Sequence, residues 1–235
     1  MLELQLPKQH EWQAQERNYG KVAVAPFEPG LALTVGNAFR RALLSSIHGA
    51  APTWVKIEGV LHEFSYLPGV AEDTLDVIQN LRKVVFALHV NRPKLLRLRA
   101  QGPRVVTAAD FVPDADVTVL TPDQALATLD KDGGLEMEVC VERGRGYVSA
   151  EKREPEALPI NAILMDADFS PIRQVNFHVE PVRGKDALQE RLILEVWTNG
   201  SITPQSAVEE AARILEDHFN LLARFPQGLE IEEVV

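Results

Sequence analysis

An α+β fold, rich in strands and carrying three helices, is what this sequence predicts. Three observations predict it. Apolar and polar residues alternate along several short segments, the period of a half-buried strand. Three longer segments place apolar residues at i, i+3, i+4 and i+7, the period of an amphipathic helix. The 235 residues are 46% apolar and 25% charged, a composition that builds a packed core and excludes wholesale disorder.

Taken in chain order, Lys21–Ala25 is a weak strand. The first helix is predicted over Val35–Ile47, with Val35, Ala38, Phe39, Ala42, Leu43 and Ile47 on one stripe. Thr34 is its expected N-cap and Gly49 the expected residue past its end. Thr53–Leu61 follows as a strand with Val55, Ile57 and Leu61 inward. A second helix is predicted over Glu72–Leu88, its stripe running through Leu75, Ile78, Leu81 or Arg82, and Val85, with two acids in its first turn. Leu95–Ala100 and Asp116–Leu120 are weaker strands. In Leu135–Glu142, Leu135, Met137, Val139 and Val141 share one face and the glutamates the other. Gln174–Glu180 repeats the pattern with Val175, Phe177 and Val179 inward, and Arg191–Trp197 with Leu192, Leu194 and Val196. Turn signals stand at Asp132-Gly-Gly, Pro103, Pro113 and Pro122, and at Asn199-Gly-Ser201, which reads as a hairpin turn.

The third helix opens at Thr203-Pro204, an N-cap followed by proline where its missing N–H costs nothing. Its stripe is Val208, Ala211, Leu215, Phe219 and Leu222. Such a stripe must be covered, either by the chain's own sheet or by the same helix in a second copy, and periodicity does not choose. The rings of Phe39, Phe219 and Phe225 make either burial worth several kcal/mol at roughly 25 cal/mol per Å².

Much chemistry is excluded. The longest uncharged apolar run, Val84–Val90, falls short of the roughly 20 residues of a membrane span. The opening residues lack the basic and apolar regions of a secretory signal, so a cytoplasmic protein is expected. One cysteine, Cys140, makes no internal disulfide and no cysteine zinc site. A net charge of −10, from 34 acids against 24 bases, argues against broad nucleic-acid binding, which draws on neutralised phosphates. His62-Glu63 has no second histidine at metalloprotease spacing, Gly184-Lys185 no P-loop glycine before it, and Gly144-Arg-Gly146 no third glycine. Cys140 alternates with glutamates as an ordinary strand thiol. No independent enzyme is expected.

One feature stands apart. Arg40, Arg41, Leu44 and Ser45 lie off the apolar stripe of the first helix. They form either a solvated face or a docking surface for an acidic or carbonyl-rich partner, to which arginine offers fixed bidentate donors.

The segment Leu33-Thr-Val-Gly-Asn-Ala-Phe-Arg-Arg-Ala-Leu-Leu-Ser-Ser-Ile-His-Gly49 resembles the first helix of the bacterial RNA polymerase α subunit, in its N-terminal assembly region. Val60-Leu-His-Glu-Phe-Ser65, Gly69-Val-Ala-Glu-Asp73 and Asn80-Leu81 continue the resemblance at the family's spacing. So do Arg143-Gly-Arg-Gly-Tyr-Val148, Asp166-Ala-Asp-Phe-Ser-Pro-Ile172 and Thr198-Asn-Gly-Ser-Ile-Thr-Pro204. Two stretches depart from the family pattern: Glu28–Thr34 has one glycine fewer and gains Pro29, and Lys185–Leu192 is less acidic.

The resemblance implies a discontinuous dimerisation subdomain, a sheet plus two helices, from residues 1–48 and 172–235. Between them lies an inserted β-rich subdomain, residues 49–171, contacting the large polymerase subunits. It implies a homodimer whose core is Phe39, Leu43, Ile47, Leu215, Phe219 and Leu222. Arg40, Arg41, Leu44 and Ser45, with His62, Glu63, Phe64 and Ser65, become contacts to β and β′, in a complex that also holds omega and sigma. No catalytic residue, metal ligand or cofactor falls on this chain, since the active-site magnesium belongs to β′. With the chain closing on an acidic tail, Gly228–Val235, the family's C-terminal DNA-binding domain is expected to be missing. An α-like regulator or decoy, binding β without completing an active enzyme, is the competing expectation.

Overall fold

The computed structural model describes residues 6–153, 158–183 and 188–224; Phe225, the acidic tail and Lys185–Asp186 lie outside them. The chain begins β1 (Gln9–Gln15), β2 (Tyr19–Phe27), α1 (Leu31–Ser46) and β3 (His48–Ile57). Next come α2 (Thr74–Arg82), β4 (Phe86–Leu88), β5 (Lys94–Gln101), β6 (Arg104–Thr107), β7 (Val117–Val119) and β8 (Ala125–Leu129). Then follow β9 (Gly134–Arg145), β10 (Tyr147–Val148), β11 (Ile163–Leu164), β12 (Ala167–Asp168), β13 (Ile172–Arg183), β14 (Leu188–Thr198) and α3 (Pro204–Ala223). The fold class is α+β, as the periodicities predict. No helix among the described residues is long and apolar enough to cross a membrane.

Two compact units divide the chain. The first comprises Met1–Ile47, Ile172–Thr198 and Ile202–Val235; the second comprises His48–Pro171 and Asn199–Ser201. In the first, antiparallel strands run in the order β1-β2-β14-β13. The inward set of β14, Leu192, Leu194 and Val196, is 0–3% exposed, because alternation delivers one face of the strand to α1 and α3. Val175 of β13 is buried, while Phe177 and Val179 are half-buried. Leu43, Ile47, Ala207 and Ala211 join Val22 and Leu194 in one cluster.

Helix α1 begins four residues before the predicted start. Gly30, not Thr34, is the N-cap, and the strong helix formers Leu31-Ala32-Leu33 carry the helix back to it. Thr34 lies inside, its hydroxyl donating to the Gly30 carbonyl at 3.3 Å. Gly49 does not close the helix: Ile47 turns extended and the chain runs directly into β3. The third helix starts as predicted, with Thr203 Oγ1 accepting from the Ser206 N–H at 3.2 Å and proline at its start. Asn199-Gly-Ser201 is not a hairpin turn but the link from β14 to α3, where Asn199 Oδ1 accepts from the Ser201 N–H at 2.9 Å.

In the second unit, six strands form a sheet in the order β5-β9-β3-β4-β7, with β11 on β3. Leu135, Met137, Val139 and Val141 of β9 are all within 2% of full burial. Helix α2 is shorter than predicted. It closes at Lys83, whose N–H bonds the carbonyls of Asn80 and Leu81. The β-branched pair Val84-Val85 and Phe86 then favour a strand, and β4 pairs with β7. Its buried stripe is Thr74, Val77, Ile78 and Leu81, leaving Leu75 at 40% exposure. Strand β3 ends at the Glu58–Gly59 turn, so Leu61, expected inward, is 68% exposed. Trp54 and Cys140 face away from the main core yet are buried. Burial and the nearby Glu142 carboxylate push the Cys140 thiol up to about 11, a value unsuited to a nucleophile.

Tyr19 stacks on Trp197 across the β2–β14 ladder, ring centroids 4.9 Å apart, and its hydroxyl donates to Glu195 Oε1 at 2.7 Å. That bond, then burial, raises the phenol from 10.0 to about 12. A raised pKa means this contact stabilises the fold fully below pH 10 and is lost as pH climbs toward 12. Glu195→Gln should move one tyrosine ionisation in an ultraviolet titration back toward 10; an unmoved titration would show that the carboxylate does not hold the phenol.

Candidate functional site

The first unit carries its candidate surface on its helices. α1 divides its residues between two faces. Leu43 and Ile47 point into the chain's own core, 0% and 1% exposed. Arg40, Arg41, Leu44 and Ser45 face outward, and neither guanidinium has an ion pair among the described residues. The Ser45 hydroxyl donates to the Arg41 carbonyl at 2.8 Å, so that serine is engaged within the helix. Two of the residues expected in a dimer core, Leu43 and Ile47, therefore present no surface: the sheet already covers them.

The other four expected there do present surface. Phe39 and Leu215 are half-buried against the core, while Phe219 and Leu222 are each 59% exposed. Along α3 the first half packs through Pro204, Ala207 and Ala211, and every residue from Glu216 to Arg224 is exposed. Leu221, which the stripe does not include, is 54% exposed beside them. Between α1 and α3 lies a groove of about 400 Å³, walled by Val35, Phe39, Val208 and Ala212 and floored by Val22, Val24, Leu192 and Leu194. It is apolar because both helices and the sheet turn their inner stripes toward it.

The second unit carries its candidate surface on the irregular segment after β3. Ser65 ties it together: its Oγ accepts from the His62 N–H at 3.2 Å and from the Leu61 N–H at 3.4 Å, and its own N–H bonds the His62 carbonyl at 3.0 Å. With the Ser65 hydroxyl and these backbone groups bonded within the segment, the large apolar side chains stand out. Phe64 is 77% and Tyr66 76% exposed; His62 is exposed, and Glu63 and Ser65 are half-buried. Beside this segment is a groove of about 500 Å³ whose lining includes Leu61, Glu63, Leu75, Ile78, Arg82 and Leu158. Ile160, on the same unit, is 85% exposed. Arg82 pairs with Asp166 at 3.5 Å at the groove's edge. The Ala150 N–H, at 2.9 Å, and the Tyr147 hydroxyl hold the Asp166 carboxyl below the usual range. Tyr66 and Ile160 carry no periodic signal, and only their apolar character next to turn residues marks them; Leu61 carries one that reads it as core.

A family model described as the RNA polymerase Rpb3/RpoA insert domain matches residues 55–170. A DNA-directed RNA polymerase subunit alpha from Heliobacterium modesticaldum is 47% identical over 237 residues, covering all of this chain and 75% of that protein. Proteins of the same name from Moorella thermoacetica and Symbiobacterium thermophilum are 50% and 48% identical, each over 94% of this chain and 71% of their own length. The chain belongs to the DNA-directed RNA polymerase alpha-subunit family. The insert-domain match spans Leu61–Tyr66 and the groove beside them, while the alpha-subunit relatives also align over α1 and α3. Those relatives are, by name, subunits of a polymerase, and the exposed apolar groups of this alpha-family chain are of the kind that subunit contacts use.

Proposed function

We propose that this chain is a non-catalytic subunit of bacterial RNA polymerase: a homodimeric platform on which β and β′ are assembled in the cytoplasm, in a complex that includes omega and sigma. The observation that carries it is large apolar surface left uncovered by the single chain, Phe219, Leu221 and Leu222 on α3 and Leu61, Phe64 and Tyr66 after β3. In the first unit, a second copy supplies both what is missing and what is surplus. Its α3 end offers side chains and its groove receives them, which is the self-complementarity a two-fold dimer needs. Phe39, Leu215, Phe219 and Leu222 are the contacts, with Leu43 and Ile47 supporting them from beneath.

The outward faces bind the large subunits. Arg40 and Arg41 supply bidentate donors beside the apolar Leu44 and the helix-bound Ser45. Phe64, ringed by His62, Glu63 and Ser65, has the shape of an interface anchor, a large ring on a hydrogen-bonded loop. Two identical protomers meet two different large subunits, so a given residue serves β on one protomer and β′, or nothing, on the other.

Reconstitution tests this. Mixed with β, β′ and sigma, the chain should enter a complex that contains two copies of it and synthesises RNA without a promoter. A dimer that captures β and yields no RNA would replace the platform with a regulator. Arg41→Ala should stay dimeric in sedimentation and bind β about tenfold more weakly, the cost of roughly one charge-assisted contact; a monomeric variant would show that Arg41 belongs to the dimer instead.

A further inference from the structure

The segment Leu61–Ala71 contains no helix or strand, yet it presents Leu61, Phe64 and Tyr66 at its surface. Something must hold it. The segment's far end is bound to β8 as a strand would be. Val70 bridges Leu129, the Ala71 N–H donates to the Thr128 carbonyl at 3.0 Å, and the Asp130 N–H donates to the Gly69 carbonyl at 2.9 Å. Glu72 closes this pairing. One carboxylate oxygen accepts the Thr128 N–H at 2.6 Å and the other accepts the Thr128 hydroxyl at 3.0 Å. The next two side chains extend the clamp. Asp73 Oδ1 accepts from the Asp76 N–H at 2.7 Å and caps α2, and the buried Thr74 hydroxyl donates to the Ser65 carbonyl at 2.7 Å.

We infer that Glu72 is a positioning residue for partner binding: its bidentate grip on Thr128 latches the Leu61–Ala71 segment to β8 and holds Phe64 and Tyr66 ready for the large subunit. Glu72 itself touches no partner. A carboxylate held by one N–H and one hydroxyl on a half-exposed surface adds only modestly to global stability. Fixing the segment before binding matters more, because the ordering cost of a loop is otherwise charged to association. The inference rests on the docking role proposed for this segment.

The test uses the full dimeric chain and purified β subunit. Titration would be paired with hydrogen exchange at the amides of residues 61–71. Glu72→Ala should bind β about tenfold more weakly and Glu72→Gln, which keeps one acceptor oxygen, about threefold, the size of lost contacts of this type. Thr128→Ala should add little to Glu72→Ala, since the two share one interaction. Exchange should quicken in residues 61–71 while β3 and β9 keep their protection. Phe64→Ala is the control for docking. If it binds as the parent does, docking by this segment fails and the inference falls with it. If Phe64→Ala loses binding while Glu72→Ala retains it, docking stands and positioning is overturned. Loss of binding in Glu72→Ala with exchange unchanged would make Glu72 a direct contact and likewise overturn the proposal.

Discussion

Phe219→Asp is expected to turn the dimer proposed for this chain into a monomer. In the single chain Phe219 is 59% exposed, on a helix stretch, Glu216–Arg224, whose residues are all exposed. Isolated helical turns gain little from propensity alone, so this half of α3 draws its order from whatever covers it. Covering the exposed part of one ring of roughly 200 Å² contributes about 3 kcal/mol at 25 cal/mol per Å². A carboxylate in its place loses that and adds the cost of an unpaired charge in an apolar contact, several kcal/mol more. Two-fold symmetry applies the loss twice. Sedimentation velocity at micromolar concentration should show a single species of 26.1 kDa, with helical content kept in the first half of α3. Phe219→Leu, apolar and nearly as large, should remain dimeric. A Phe219→Asp variant that sediments as a dimer would place the interface elsewhere on the chain.

Residues with one packed face were legible in the sequence, and residues covered from a distance were not. β9 and β14 show their alternation because one face of each meets the core along the whole strand. α1 and α3 show their stripes for the same reason. β1 is exposed along both faces, with only Trp12 and Ala14 half-buried, so it carries no alternation to read. Trp54 and Cys140 lie on the outward phase of their strands and are buried all the same, and Ala51 of β3 is covered by Ala167 and Phe169 from far along the chain. In the other direction, Leu61 continues the alternation of β3 past the turn that ends it, and so reads as core while standing in solvent. The candidate site divides likewise. Arg40, Arg41, Leu44 and Ser45 could be read as the complement of a stripe. That Leu43 and Ile47 belong to the chain's own core, and Phe219 and Leu222 do not, depends on where the sheet ends beneath the helices, which periodicity does not encode.

Gly49→Ala should be among the most damaging small changes in the second unit. A Cβ at this position would lie 1.9 Å from the main-chain carbonyl oxygen of Phe169 and 3.1 Å from its carbonyl carbon. The residue opposite in the ladder is Gly144, and its Cβ would meet the Phe169 ring at 2.7 Å. Phe169 thus lies across a pair of facing glycines, carbonyl over one and ring over the other, and its N–H donates to the Gly146 carbonyl at 2.9 Å. That placement closes a small apolar cluster of Ala51, Ala167 and Phe169 on the outer face of β3. The obstacle at Gly49 is backbone, so no rotamer relieves it. Either β3 leaves its register with β9, or the segment carrying Phe169 lifts and exposes a ring now 5% exposed. Both routes cost about 3–5 kcal/mol, the range for losing a buried aromatic contact, equivalent to a fall in Tm of roughly 10 °C for a chain of this size. Gly134→Ala is the matched control, because its Cβ would find only the Ala100 carbonyl at 3.8 Å, and its unfolding should shift by no more than about 1 kcal/mol. Thermal unfolding followed by near-ultraviolet circular dichroism separates the two. Equal midpoints would mean that the Phe169 segment can move aside without cost, and the facing glycines would then need a reason other than this close approach.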